Sequence, residues 1–265
     1  MGKLDGKVAI ILGASSSDNM GQVICRRFLD EGAKVVASGR KEAPLRALAN
    51  ETSCAYKTCD ITKKADVDAL VDFAASTYGG VHVGINCTGW GLLVPFEKNT
   101  EEDLNKMMAL QFRGPFQFFQ ALVRAMTNGG SIIQISSATA TIMLDNHAAY
   151  MGTKAGIDHV IRCIANQYGK RGIKANSISP GLTATPMTAE VMAMPGLEEA
   201  FVKEYPLGRI GTSDDIAEAA VWLASDASFI TGQNLQINGG LTLRRNPRQH
   251  EITASMAAAA QESNT

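Results

Sequence analysis

Val8-Ala-Ile-Ile-Leu-Gly13-Ala-Ser-Ser-Ser-Asp-Asn-Met-Gly21 begins as an apolar run and breaks at a glycine into a string of small polar residues. An apolar run of this length bounded by turn residues reads as a buried strand. From Met20 onward the apolar residues return at helical spacing over 20–31, so the stretch reads as strand, tight turn and helix. Working outward, the same alternation recurs. Apolar runs at 34–38, 81–86, 131–135 and 174–179 read as further strands, and 63–78, 101–126, 148–169 and 213–224 carry apolar residues at helical spacing with polar opposite faces. The pattern predicts an α/β fold, a single doubly wound domain with a parallel sheet of about seven strands and helices on both faces.

The chain has 265 residues, enough for one sizeable core, and 25 basic against 26 acidic side chains leave a formal charge of −1. No whole-molecule field draws it to nucleic acid or an anionic membrane, which points to a small-molecule ligand. Cys25, Cys54, Cys59, Cys87 and Cys163 lack paired spacing or companion histidines, so they read as reduced, mostly buried thiols with no metal site. The apolar run near the start is too short for a secretory signal and no later stretch reaches membrane-spanning length, so the expected location is cytoplasmic.

In an open parallel sheet the ligand crevice lies beyond the carboxyl ends of the strands. Gly13, Ser15, Ser16, Asn19, Met20 and Gly21 stand there, where small residues admit a pyrophosphate and a helix N-terminus offers N–H donors. The stretch lacks the GxGxxG pattern, and Asn19 is expected to take the positive φ that a glycine would usually supply. A tight turn without a ligand is the alternative. After the second strand, Ser38-Gly39-Arg40-Lys41 offers no carboxylate for a ribose 2′-hydroxyl. Arg40 is suited to a 2′-phosphate, so NADP(H) is the expected cofactor and NAD(H) the alternative, with Asp18 counting against a phosphate.

Tyr150 and Lys154 are four apart in a helical segment and therefore share a face. A phenol is a poor base near neutrality, and an adjacent ammonium favours the phenolate. Ser136 and Ser137 follow the strand at 131–135, at a carboxyl end; Ser137 is placed to hydrogen-bond a substrate oxygen, with a helix cap or turn as the plainer reading.

These pieces join Asn86-Cys-Thr-Gly89, Tyr150-Met-Gly-Thr-Lys154 with Ser137 thirteen residues ahead of it, Pro180-Gly-Leu-Thr-Ala-Thr185 and Ile230-Thr-Gly-Gln-Asn-Leu-Gln-Ile-Asn-Gly-Gly240 in one shared order. From about residue 7 to residue 240 the chain resembles the short-chain dehydrogenase/reductase family. The resemblance implies a Rossmann-like domain over 1–240 and a tail over 241–265 that either folds across an active site or is disordered. It also implies that Ser137 orients the carbonyl, Tyr150 exchanges its proton and Lys154 holds the nicotinamide ribose. Asp60 and Ile61 are then expected near adenine, Asn86 and Gly89 along the cofactor groove, and Pro180, Gly181, Thr183 and Thr185 near the carboxamide or phosphates. The family's usual catalytic asparagine is matched by Gln111, one methylene longer, and the Gly13–Gly21 interval exceeds the family's glycine spacing. Similar proteins assemble as homodimers or homotetramers through two long helices and the last strand.

Met187 and Met192 fall where such proteins carry a substrate lid, and Trp90, Met143 and His147 follow strand ends or precede Tyr150. Few charges line this region, so the expected reaction is NAD(P)-dependent interconversion of a secondary alcohol and a ketone, with a bulky apolar or cyclic substrate of hydroxysteroid or terpenoid type. Two alternatives stand beside it. The lengthened phosphate loop suits an enoyl-thioester reductase, although the four-residue Tyr–Lys interval favours carbonyl chemistry, and Gln111 suits a non-catalytic nucleotide-sensing regulator.

Overall fold

The computed structural model describes residues 2–186 and 188–262; Met187 lies outside the described residues. The amino-terminal half alternates β1 (Val8–Leu12), α1 (Met20–Asp30), β2 (Lys34–Gly39), α2 (Glu42–Thr52), β3 (Ala55–Thr58), α3 (Lys64–Tyr78) and β4 (Val83–Asn86). Then follow α4 (Glu101–Met108), α5 (Gly114–Ala125), β5 (Gly130–Ile135), α6 (Ala148–Tyr168) and β6 (Ile173–Pro180). The remainder holds β7 (Thr183–Ala184), α7 (Ala189–Met192), α8 (Leu197–Val202), β8 (Gly211–Thr212), α9 (Ser213–Ala224), β9 (Asn234–Ile237) and α10 (Gln249–Glu262). Seven strands pair in parallel in the order β3-β2-β1-β4-β5-β6-β9, while β7 and β8 form a separate two-stranded ladder. The doubly wound α/β expectation is met.

β1 is buried at all five positions because each face meets a helical layer. Ala9 and Ile11 share one core with Ile24 and Phe28 of α1, Leu45 and Leu48 of α2, and Ile216 and Val221 of α9. Ile10 and Leu12 share the opposite core with Val67 and Leu70 of α3, Phe118 and Leu122 of α5, and Ile157 and Ile161 of α6. The period of two along β1 thus sorts its side chains between two cores. Gly84 in β4 marks a close approach: a Cβ there would lie 2.1 Å from Leu122 Cδ1, so α5 presses on the sheet and a larger residue would displace the Leu122 side chain.

The helix expected over 101–126 is interrupted. Between α4 and α5, residues 109–113 form a π-helical turn, and α5 starts at Gly114-Pro115. Proline supplies no backbone N–H for a continuous ladder, and a Cβ on Gly114 would lie 2.7 Å from the Ile61 carbonyl oxygen. β4 starts at Val83 rather than at 81.

A third, smaller core stands apart from these two. Leu197, Ala200 and Phe201 of α8 pack with Tyr205, Ile210, Leu241 and Ile252, the last from α10. The tail is pinned to the loop that follows β5: Asn246 Nδ2 donates to the Met143 carbonyl at 3.0 Å, and Arg248 pairs with Asp145 at 3.2 Å. Among the described residues no helix is long and apolar enough to cross a membrane.

Candidate active site and dinucleotide crevice

Sheet order reverses at β1, which has β2 on one side and β4 on the other, so a crevice opens past their carboxyl ends at the N-terminus of α1. The loop at that point is shaped by its own side chains. Asn19 caps α1, accepting from Gln22 N at 3.0 Å and donating to the Gly13 carbonyl at 2.8 Å. Its φ is −72°, so the expected left-handed Asn19 is not found. Asp18 takes that conformation instead, with φ 54°, because Asn19 must be extended to cap the helix. Gln22, buried, braces the loop by donating to the Ala14 and Pro44 carbonyls at 3.1 and 3.3 Å and accepting from Asp18 N at 3.1 Å. Asp18 itself pairs with Arg26 at 3.3 Å, which offsets its charge.

With the loop held in this way, the amides of Ser15, Ser16 and Ser17 donate to no acceptor among the described residues. The first turn of α1 carries no acid. Unspent amides beside a helix N-terminus suit an anionic pyrophosphate, so the crevice fits a dinucleotide. Gly21 is required here, since a Cβ would lie 2.6 Å from the Gly13 carbonyl oxygen; Met20 begins the helix beside it.

Arg40 is exposed at the end of β2, near Asp60. Burial disfavours the Asp60 carboxylate, but hydrogen bonds from Thr62 and the charges of Arg40 and Lys63 outweigh it and hold the group below its ordinary range. The side chain of Ile61 is in the core, and its carbonyl lies against Gly114. Asn86 is fully buried; it donates to Gln134 Oε1 at 2.9 Å and accepts from Thr88, so it sets the loop leading to Gly89.

Tyr150 and Lys154 lie one turn apart on α6, with the ammonium 5.5 Å from the phenol ring centre. Lys154 is buried, and its Nζ donates to the Ile135 carbonyl at 2.8 Å, which fixes it at the carboxyl end of β5. Two residues on, Ser137 caps a short 3-10 turn: its Oγ accepts from Thr139 N at 3.2 Å and lies 2.9 Å from Thr139 Oγ1. The cap and the candidate catalytic hydroxyl are thus one group. His147 is buried, and its ring stacks on Tyr150 at 4.2 Å between centres.

Gln111 lies in the π-helical turn and is buried. Its Oε1 accepts from Trp90 N at 3.1 Å and its Nε2 donates to Thr153 Oγ1 at 3.0 Å, tying the loop after β4 to the turn of α6 that holds Lys154. A Cβ on Gly89 would lie 3.3 Å from Gln111 Oε1 and 3.9 Å from Lys154 Nζ, so the three meet at one point. Asp158, a turn beyond Lys154, was not singled out in the sequence. Its carboxylate accepts from Ser136 Oγ at 2.7 Å, Ser177 Oγ at 2.6 Å and Asn234 Nδ2 at 2.7 Å, and so ties α6 to β5, β6 and β9. A carboxylate at i+4 from Lys154 on the inward face of a helix was the available signal.

Pro180 ends β6, and beyond it Thr183 Oγ1 donates to the Gly181 carbonyl at 3.0 Å. Thr185 lies 3.1 Å from Thr188 Oγ1, which donates to the Thr183 carbonyl at 2.7 Å. On the substrate side the Trp90 ring lies under Lys106 Nζ at 3.9 Å, Met143 is exposed, and Met192 packs against the third core.

A family model described as enoyl-(acyl carrier protein) reductase matches residues 13–242. D-threitol dehydrogenase of Mycolicibacterium smegmatis is 34% identical over 250 residues, covering 91% of this chain and 95% of that one. 3beta-hydroxysteroid dehydrogenase 1 of Eggerthella lenta has the same identity and coverage. Among solved structures, a short-chain type dehydrogenase/reductase from Mycobacterium ulcerans superposes with a TM-score of 0.89 at 28% identity, covering 92% of each chain. A gluconate 5-dehydrogenase from Burkholderia cenocepacia, in complex with NADP and tartrate, superposes with a TM-score of 0.86 at 28% identity, covering 91% of this chain and 97% of that one.

Proposed function

The chain belongs to the short-chain dehydrogenase/reductase family, and from that premise we propose that Tyr150 is the proton-exchanging group of an enzyme that interconverts a secondary alcohol and a ketone. The observation that carries this is the placement of Lys154 between Tyr150 and the carboxyl end of β5, where Ser137 stands. When bound in the crevice, a nicotinamide dinucleotide supplies the acceptor or donor for the hydride of the carbinol C–H. The protein's own part is to orient and to move a proton. Tyr150 Oη takes the hydroxyl proton as the alcohol becomes a ketone and returns it in the reverse direction, and Ser137 Oγ holds the substrate oxygen. Lys154, one donor spent on Ile135, keeps two for ribose hydroxyls.

NADP(H) is favoured over NAD(H), supported by exposed Arg40 and the lack of an acid at the end of β2. The substrate is a bulky apolar or cyclic alcohol, supported by the apolar Leu93, Phe96 and Met143 exposed on the loops beside the site and by the likeness to a hydroxysteroid dehydrogenase. Homo-oligomer contacts fall on α5 and α6, where Phe116, Val123, Val160 and Cys163 line a cleft of about 400 Å³ away from the site.

Cofactor absorbance followed with a panel of cyclic alcohols, ketones and one enoyl thioester, offered with each cofactor, tests the proposal. Expected are turnover of carbonyl or alcohol substrates and a fall of about 10²–10⁴-fold in Tyr150→Phe. Turnover confined to the enoyl thioester overturns the alcohol chemistry, and tight cofactor binding without turnover of any substrate identifies a sensor.

A further inference from the structure

The His147 side chain has one hydrogen bond among the described residues, from Nδ1 to the Leu92 carbonyl at 2.8 Å. A carbonyl only accepts, so Nδ1 carries the hydrogen; burial holds the imidazole below its ordinary proton affinity, and in the neutral ring Nε2 is an acceptor. That atom keeps contact with solvent, since the sealed and unpaired side-chain atoms among the described residues are Gln117 Oε1, Ser228 Oγ and Asn238 Oδ1. The ring lies against Tyr150, with 4.2 Å between centres and 24° between planes. The loop carbonyl and the phenol together fix the imidazole beside the proton-exchanging group, with its acceptor unspent.

We propose that His147 Nε2 accepts a hydrogen bond from a second hydroxyl on the carbon next to the reacting carbinol, making the enzyme selective for vicinal diols and, in reverse, α-hydroxy ketones. This rests on the proposed alcohol chemistry at Tyr150. A substrate whose reacting oxygen meets Tyr150 brings only near neighbours within reach of an imidazole stacked on that phenol. A neutral acceptor calls for an O–H donor. A site built to pair a hydroxyl discriminates against the analogue lacking it, because its own polar atom is left unpaired.

The test compares cis- and trans-1,2-cyclohexanediol with cyclohexanol, using wild-type enzyme, His147→Phe, which keeps an aromatic stack without an acceptor, and His147→Asn, which restores an acceptor. The expected result is a diol-to-cyclohexanol ratio of kcat/KM that falls about tenfold or more in His147→Phe and recovers in part in His147→Asn. A merely structural role lowers both substrates in proportion and leaves the ratio unchanged, which overturns the proposal. In parallel, ¹⁵N NMR of cofactor-loaded wild-type enzyme should show the Nε2 resonance of His147 move with a diol and not with cyclohexanol. Absence of that shift overturns the proposal even where alcohols are turned over. A diol-specific shift without turnover of any alcohol sustains the hydroxyl contact while refuting the chemistry at Tyr150.

Discussion

Replacing Asp158 separates the two opposed contributions of a buried carboxylate. Its oxygens accept three short hydrogen bonds, from Ser136, Ser177 and Asn234 at 2.6–2.7 Å, and two of those donors, Ser136 and Ser177, are buried. Asp158→Ala leaves all three without their acceptor; breaking such a network costs about 3 kcal/mol, or a melting temperature lower by roughly 6–12 °C. Asp158→Asn keeps one acceptor oxygen and costs about 1–2 kcal/mol near pH 4. The sign of the pH dependence follows from burial, which outweighs the hydrogen bonds and the nearby Lys154 charge and raises the carboxyl above its ordinary value. The folded state therefore binds this proton more tightly than the unfolded chain. The stabilisation from Asp158 is fully present below the ordinary carboxylate range and fades as pH rises through the raised value. Asparagine does not titrate, so its cost relative to wild type should shrink between about pH 4 and pH 7. Urea unfolding of both proteins across that range measures the difference directly and cancels every other titrating group. A cost that grows with pH would show that the hydrogen bonds to the ionised form win over burial, refuting the reasoning.

Gln111→Ala should leave the Trp90 amide without its acceptor, lowering stability by about 2 kcal/mol and speeding hydrogen exchange at Trp90 selectively; unchanged exchange there would show that the link between the loop and α6 is idle. Phe116→Arg, on the exposed face of α5, should reduce the mass measured by light scattering toward the 28.2 kDa of one chain. An unchanged oligomer would move the contact off the α5–α6 face.

The sheet was legible where strands are buried on both faces, as in β1 and β2, because apolar runs of that kind have few other uses. β3 and β9 were not read individually: Ala-Tyr-Lys-Thr and Asn-Leu-Gln-Ile are edge strands, short and only partly buried, and offer no apolar run. The break before Gly114 escaped notice because apolar periodicity continues across the π-helical turn, which changes the hydrogen-bond ladder more than the face presented. Tyr150, Lys154 and Ser137 were visible through spacing, whereas Gln22 and Asp158 act through partners distant in sequence, such as Pro44 and Asn234, that only folding reveals. Asn19 shows the limit of residue preference, since the demand for a helix cap overrode its tolerance of positive φ and passed that conformation to Asp18.

The third core, built from α8, α10 and the loop after β5, shares none of its fully buried residues with the two cores that flank the sheet. Two short stretches, one near residue 143 and one from residue 241 onward, clasp each other through Asn246 and Arg248. Substitutions confined to them would alter this clasp and leave the dinucleotide crevice in place.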